Sequence, residues 1–175
     1  MLFKPSIIAY KRSKNLGELM IRSKLPDKCR TKRIVGFKKC NDPCVMCSYS
    51  TNSNKHTIPH TGEKFTIFGP ITCKTCNVIY RLWCQKCNFF LYIGETKRTA
   101  CERFKEHRSY IPREQVEQAT YQHFTKSGHD LSDLRITPIE KVYPKNDPFI
   151  RKVREDYWIN QYDAIYQGYN KYSYI

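Results

Sequence analysis

Two short apolar runs, NVIYRLWC (77–84) and NFFLYIG (88–94), are rich in β-branched and aromatic residues. That composition makes each a strand, and the residues between them are few enough to close a hairpin. Thr99 and Glu102 follow in Thr-x-x-Glu spacing, a capping box, so a helix starts near Thr99 and runs through ERFKEH. Pro112 suits the first position of another helix, PREQVEQATYQHFTKSG, with Gly128 as its stop. LRITPIEKVY (134–143) has strand composition, and Pro138 confines it to an edge or a bulge. Asp147 and Pro148 cap a last helix on which Ile150, Val153 and Tyr157 form one apolar stripe. The predicted order is β-β-α-α-β-α, an α+β domain with a small antiparallel three-stranded sheet flanked by helices.

Upstream of residue 77 this regular patterning is absent. Residues 1–39 read as a basic linker or arm, 40–76 as a cysteine-rich, loop-like linker, and 77–172 as the folded domain. The 175-residue chain, with 40% hydrophobic content and thirteen tyrosines, is long enough for one core. No apolar run approaches the roughly 18 residues of a membrane span, and no signal-peptide pattern opens the chain. A soluble, intracellular protein with no membrane partner is expected.

Charge selects the partner. The formal net charge is +15, and residues 1–39 hold twelve Lys or Arg against Glu18 and Asp27. So lopsided an arm is a polyanion-binding signature, because each phosphate contact releases counterions. Lys38 and Lys39 close it.

Nine cysteines in an intracellular chain favour metal over disulfides. They group as Cys40, Cys44 and Cys47; Cys73 and Cys76; Cys84 and Cys87; with Cys29 and Cys101 alone. A redox CxxC sits where a strand meets a helix, whereas Cys84 and Cys87 join two strands, so zinc is the leading reading. Cys44–Cys47 with His56–His60, followed by HTGEK, imitates a two-Cys, two-His finger. Only eight residues separate Cys47 from His56, where that finger needs about twelve, so it is rejected.

Tyr80 and Tyr92 stand on neighbouring strands, and Arg103 and His107 lie four residues apart on one helix face. Such a set suits phosphodiester cleavage, which needs a base for water, a cation for the phosphate and a stabilised leaving group.

These motifs resemble the GIY-YIG nucleases, and more narrowly the endonuclease domain of Penelope-like retroelements. The matching residues are Val78-Ile79-Tyr80, Tyr92-Ile93-Gly94, the ERFKEH helix with Arg103 and His107, Glu155 in REDYWI and Asn170 in GYNK. Val78 departs from the family pattern, standing in a glycine position, but the functional atom there is the tyrosine hydroxyl. The resemblance covers roughly residues 40–172. It implies a DNA-nicking hydrolase that leaves a 3′-hydroxyl to prime reverse transcription. In it, Tyr80, Tyr92, Arg103, His107 and Asn170 serve catalysis, and Glu155 binds catalytic Mg²⁺ or Mn²⁺. It also implies structural zinc, one or two ions. Cys84, Cys87, His123 and His129 form one site. Cys40, Cys44 and Cys47 form another, for which Cys73 is the chosen fourth ligand, with Cys76, Cys29, His56 and His60 left open. Lys97 and Arg98 follow the second motif and are expected on DNA. The implied partners are DNA, the element's RNA and a reverse-transcriptase domain of the full-length element protein, in the nucleus. The competing reading is a catalytically silent, zinc-stabilised DNA-binding module. The complete set of six catalytic residues argues against it.

Overall fold

The computed structural model describes residues 36–42, 44–110, 112–113, 117–125, 128–143 and 147–171. These all fall in one unit, 34–175. A second unit, 1–33, and with it almost all of the expected basic arm, lies outside the described residues.

Chain order gives β1 (Gly36–Phe37), α1 (Val45–Ser48), β2 (Lys55–Thr57), β3 (Lys64–Thr66) and β4 (Pro70–Ile71). The long hairpin β5 (Cys76–Cys84) and β6 (Phe90–Thr99) follows, then α2 (Ala100–Ser109) and α3 (Ala119–Phe124). The chain ends in β7 (Leu134–Lys141) and α4 (Pro148–Gln161). β5 is the centre of an antiparallel sheet of order β6-β5-β7, while β1 pairs parallel with β4 and β2 antiparallel with β3.

Local chemistry sets the ends of these elements. The β5–β6 turn includes Asn88 at φ 54°, a left-handed conformation that asparagine tolerates better than most residues. Thr99 and Glu102 close the capping box of α2 in both directions, and the Asp147 carboxylate accepts from the Phe149 and Ile150 amides at the start of α4. Pro138 lies on the edge strand β7, beside the register shift between Ile79 and Tyr80, where a lost N–H is tolerated.

The sheet is buried on both faces. Val78, Tyr80 and Leu82 pack with Phe104 of α2 and Ile136. Ile79 and Ile93 pack with Ile139, Trp158, Ile159 and Tyr162. Each such aliphatic or aromatic side chain contributes about 1.5–3 kcal/mol when fully buried.

The structure departs from the sequence expectations in three places. Residues 40–76 are not a loop-like linker. Met46, Ile58, Ile67 and Ile71 are fully buried, Phe37 at the end of the expected arm is buried as well, and residues 36–71 form two small sheets that pack on the central one. The helix expected from Pro112 begins only at Ala119, with Pro112 and Arg113 in a turn. Arg113 and Glu117 are exposed, and the helix that does form buries Ala119, Thr120, His123 and Phe124. On α4 the apolar stripe divides: Ile150 packs against the core, but Val153 and Tyr157 are 42% and 39% exposed, while Arg151, Glu155, Trp158 and Ile159 are buried. The buried charges are satisfied by partners on the sheet, which is what allows the polar face to turn inward. Among the described residues no helix is long and apolar enough to cross a membrane.

Candidate active site and metal centres

Tyr80 on β5 stands opposite Gly94 on β6, and Tyr92 precedes Gly94 by two residues on the same face. A Cβ at Gly94 would lie 2.6 Å from Tyr80 Oη and 2.5 Å from Tyr92 Cε1. The glycine is what lets the two rings approach to 6.5 Å between centroids. α2 aims its side chains at the same spot. Tyr80 Oη lies 2.7 Å from His107 Nε2 and accepts from Arg103 Nε at 3.0 Å. With Arg103 donating, the phenol O–H is the proton left for His107 Nε2, which assigns the imidazole hydrogen to Nδ1. Arg103 also pairs with Glu106 and donates to Tyr110 Oη at 3.2 Å.

Burial governs the protonation states here. It drives His107 down to about 3, helped by the Arg103 charge, so the imidazole is neutral at physiological pH. It holds the Tyr80 phenol well above its ordinary value of 10, and pushes Tyr92 up to about 12 with the Glu155 carboxylate adding to the effect.

Tyr92, His107, Glu155 and Asn170 meet in the wall of one cleft of about 250 Å³, joined there by Lys152 and Gln118. Tyr80 and Arg103, the other two residues of the set, are not part of this wall. Tyr80 is fully buried and contacts His107 from behind, because the space above Gly94 accepts a whole phenol ring. The Arg103 side chain, 24% exposed, is drawn onto Tyr80 and Glu106.

Glu155 lies at the cleft with both oxygens engaged. Oε1 accepts from the Glu95 amide at 3.0 Å, and Oε2 takes the Lys152 ammonium at 2.7 Å. Burial raises its pKa against the pull of Lys152. One helical turn earlier, buried Arg151 bridges Glu95 Oε2 at 2.8 Å and Asn77 Oδ1 at 3.1 Å. A partly buried carboxylate that already takes a cation offers the oxygen ligand that hard divalent ions require, so Glu155 fits such an ion. Asn170 forms a rung of a strand ladder: its Oδ1 accepts from the Ile93 amide at 2.9 Å and its Nδ2 donates to the Ile93 carbonyl at 2.8 Å. That pins the C-terminal segment beside Tyr92. Sequence reasoning missed Lys152, Arg151, Glu95 and Asn77. Lys152 and Arg151 could have been found by their i,i+3 and i,i+4 spacing to Glu155, whereas nothing local marks Asn77.

Cys40, Cys44, Cys47 and Cys73 converge, with Sγ separations of 3.4 Å (Cys40–Cys44), 3.3 Å (Cys40–Cys47), 3.2 Å (Cys44–Cys47) and 3.5 Å (Cys47–Cys73). Cys84 Sγ lies 3.5 Å from His129 Nδ1, and Cys87 Sγ 3.5 Å from His123 Nε2. In each group the four ligand atoms all lie within 4.8 Å of one another. A tetrahedron with bonds of about 2.0–2.3 Å has edges of about 3.3–3.8 Å, so both donor sets fit zinc. His56 is buried with Nδ1 2.7 Å from Tyr162 Oη, His60 and Cys76 are exposed, and none of the three joins a cluster. Cys29 lies outside the described residues. Of the expected DNA contacts, Lys38, Lys39, Lys97 and Arg98 are all exposed, and Arg98 pairs with Glu106 at 2.6 Å.

No protein-family model matches the sequence, and no curated protein matches it. Among solved structures the chain is similar to the catalytic domain of the homing endonuclease I-TevI, at 19% identity and a TM-score of 0.44, over 55% of this chain and 99% of that one.

Proposed function

We propose that this chain is a metal-dependent DNA endonuclease of the GIY-YIG type, and within that group an endonuclease like those of Penelope-like retroelements. One observation carries the reading. A buried tyrosine hydroxyl is held between Arg103 Nε and His107 Nε2, directly behind a cleft walled by Tyr92, His107 and Glu155.

In this reading a phosphodiester enters the cleft and meets Tyr92 Oη and the edge of His107. For the attacking water to lose its proton, Tyr80 Oη has to open to the cleft: the water's proton passes to Oη as the phenol proton passes to His107 Nε2, which ends as the imidazolium. The incoming phosphate charge makes the imidazole more basic than it is in the empty cleft. Arg103 holds Tyr80 Oη throughout and balances negative charge developing around it. Glu155 would hold one divalent ion, Mg²⁺ or Mn²⁺, which supplies charge neutralisation at the departing 3′-oxygen. Zinc in the Cys84–Cys87–His123–His129 group would tie the hairpin turn to α3. Zinc in the four-cysteine group would brace α2, whose Cys101 amide donates to the Cys73 carbonyl at 3.0 Å. The 3′-hydroxyl product suits priming by a reverse transcriptase in a longer element protein acting in the nucleus.

A second reading, a silent zinc-stabilised DNA-binding module, draws on the full burial of Tyr80 and on Lys152 sitting on Glu155. Supercoiled plasmid with Mg²⁺ separates the two. The zinc-loaded chain should convert it to nicked circles and Arg103→Ala should not. Binding without conversion by the parent chain selects the silent module.

A further inference from the structure

Away from the cleft, the sheet carries a second set of side chains that catalysis does not use. Arg81 and Trp83 lie two residues apart on β5 and so share a face, and their cross-strand partners on β7 are Thr137 and Arg135. These residues and the 49–53 segment wall a groove of about 280 Å³, and no Asp or Glu is among its lining residues. Tyr49, in the same wall, has the Arg108 guanidinium 4.6 Å above its ring and that of Arg135 at 6.0 Å. Two arginines and two aromatic rings therefore line a groove in which no carboxylate answers them, while Arg108 reaches the Tyr49 ring from α2, outside that lining.

The hydrogen-bond inventory points the same way. Arg81 Nε, Trp83 Nε1 and Arg108 Nε are buried donors with no acceptor among the described residues. Orphaned buried N–H groups are uncommon in native proteins, and the two on β5, beside an Arg81 Nη1 that donates to the Thr57 carbonyl at 2.8 Å, mark a wall short of acceptors. The polymer that supplies acceptors and negative charge together, and flat bases to lie against aromatic rings, is single-stranded nucleic acid. A groove roughly nine times the ~30 Å³ of one water has room for more than a bare ion.

We propose that this groove is a second nucleic-acid site, in which Arg81 and Arg135 take the backbone phosphates of a single strand and Trp83 lies against an unpaired base. It is independent of whether the cleft cleaves. A strand running over the β7 edge would be held apart from the one in the cleft.

The test is fluorescence anisotropy of the zinc-loaded chain with a labelled single strand and with the corresponding duplex, over a salt series without added divalent metal. Each arginine–phosphate contact contributes about 0.7 to the salt slope on a single strand. Arg81→Gln with Arg135→Gln should lower the slope by about 1.4 and weaken single-strand binding about tenfold, with zinc content unchanged. Trp83 and Trp158 are the chain's two tryptophans, so emission quenched by the single strand should lose that response in Trp83→Phe. Should the double variant fail to retain zinc, Arg135→Gln alone serves, with half the slope change. Unchanged single-strand affinity and slope overturn the proposal, as does a loss confined to the duplex. An inert protein that still binds through these arginines supports it while defeating the nuclease reading; a nicking protein indifferent to them does the reverse.

Discussion

Lys152 Nζ lies 2.7 Å from Glu155 Oε2, one helical turn away on α4, so the carboxylate facing the cleft already has a cation. The lysine side chain is 53% exposed and the glutamate 7%, which makes the lysine the partner free to leave. A divalent ion at Glu155 has to displace it. Partly exposed pairs of this kind are worth up to about 1 kcal/mol, so Lys152→Met should tighten Mn²⁺ binding about fivefold. Titration followed by electron paramagnetic resonance on zinc-loaded protein reads this directly. Equal affinity in the two proteins would mean that Lys152 does not guard Glu155.

Gly94 makes a sharper prediction. In Gly94→Ala the new methyl collides with both Tyr80 and Tyr92, and neither ring is a flexible chain end that can swing aside. Overpacking of this kind costs about 1–3 kcal/mol. The expected result is a lowered denaturation midpoint with both zinc ions kept, and loss of the proposed nicking. A variant as stable and active as the parent would show that the rings do not need this approach.

Acid should destabilise the fold through two histidines. Burial drives His107 to about 3 and His56 to about 4, against an ordinary value near 6.5. Between about pH 6.5 and those values the unfolded chain binds protons that the folded chain refuses. Stability therefore falls as pH drops through that window and levels off below it. Each histidine contributes up to about 1.4 kcal/mol per pH unit. Metal loss at the cysteine groups would mimic the effect, so His56, which lies outside both, gives the cleaner measurement. His56→Gln, by urea denaturation from pH 7 to 5.5, a range that straddles the unfolded value, should show a slope shallower by about 0.8 kcal/mol per pH unit on average. An unaltered slope removes His56 from the account.

The β5–β6 hairpin and the capped start of α2 are legible in the sequence because their determinants are local: a strand period, a turn asparagine, a Thr-x-x-Glu box. Tyr80, Tyr92, Arg103 and His107 can be read as neighbours for the same reason, lying on consecutive elements. The orientation of α4 could not be read this way. Its buried Arg151 depends on Glu95 and Asn77, 56 and 74 residues away, and periodicity ranks Val153 and Tyr157 as the buried face instead. The packing of residues 36–71 against the sheet is hidden similarly, because isolated apolar residues such as Met46, Ile58 and Ile67 form no periodic run. Family likeness points to Cys73; that it lies 3.5 Å from Cys47, 26 positions earlier, depends on a path of the chain that no spacing rule orders.

The four-cysteine group and α2 are mechanically joined through the Cys101 amide and the Cys73 carbonyl, 3.0 Å apart. Cys73→Ser should remove one of two zinc ions by metal analysis and raise amide exchange along α2, while the Cys84 group keeps its ion. Loss of both ions together would show that the two groups do not act as separate sites.

The last prediction concerns the arginine whose shape the site uses. Arg103 donates through Nε to Tyr80 Oη and through an NH group to Tyr110 Oη while pairing with Glu106. A lysine keeps the charge but is a single point donor on a flexible stem, and it cannot reproduce a fork that spans three partners. If charge alone mattered, Arg103→Lys would retain most of the proposed activity. The geometry predicts otherwise. Without the Nε contact, Tyr80 Oη is no longer fixed between arginine and His107 Nε2, and its O–H can turn away from the imidazole. Loss of one such preorganised donor typically costs about 10²–10³ in rate. Single-turnover nicking at saturating protein should therefore fall at least about a hundredfold in Arg103→Lys, with DNA affinity and zinc content close to the parent. A lysine variant within a fewfold of the parent would reduce Arg103 to a general positive charge, and the Tyr80–His107 pair would need another means of alignment.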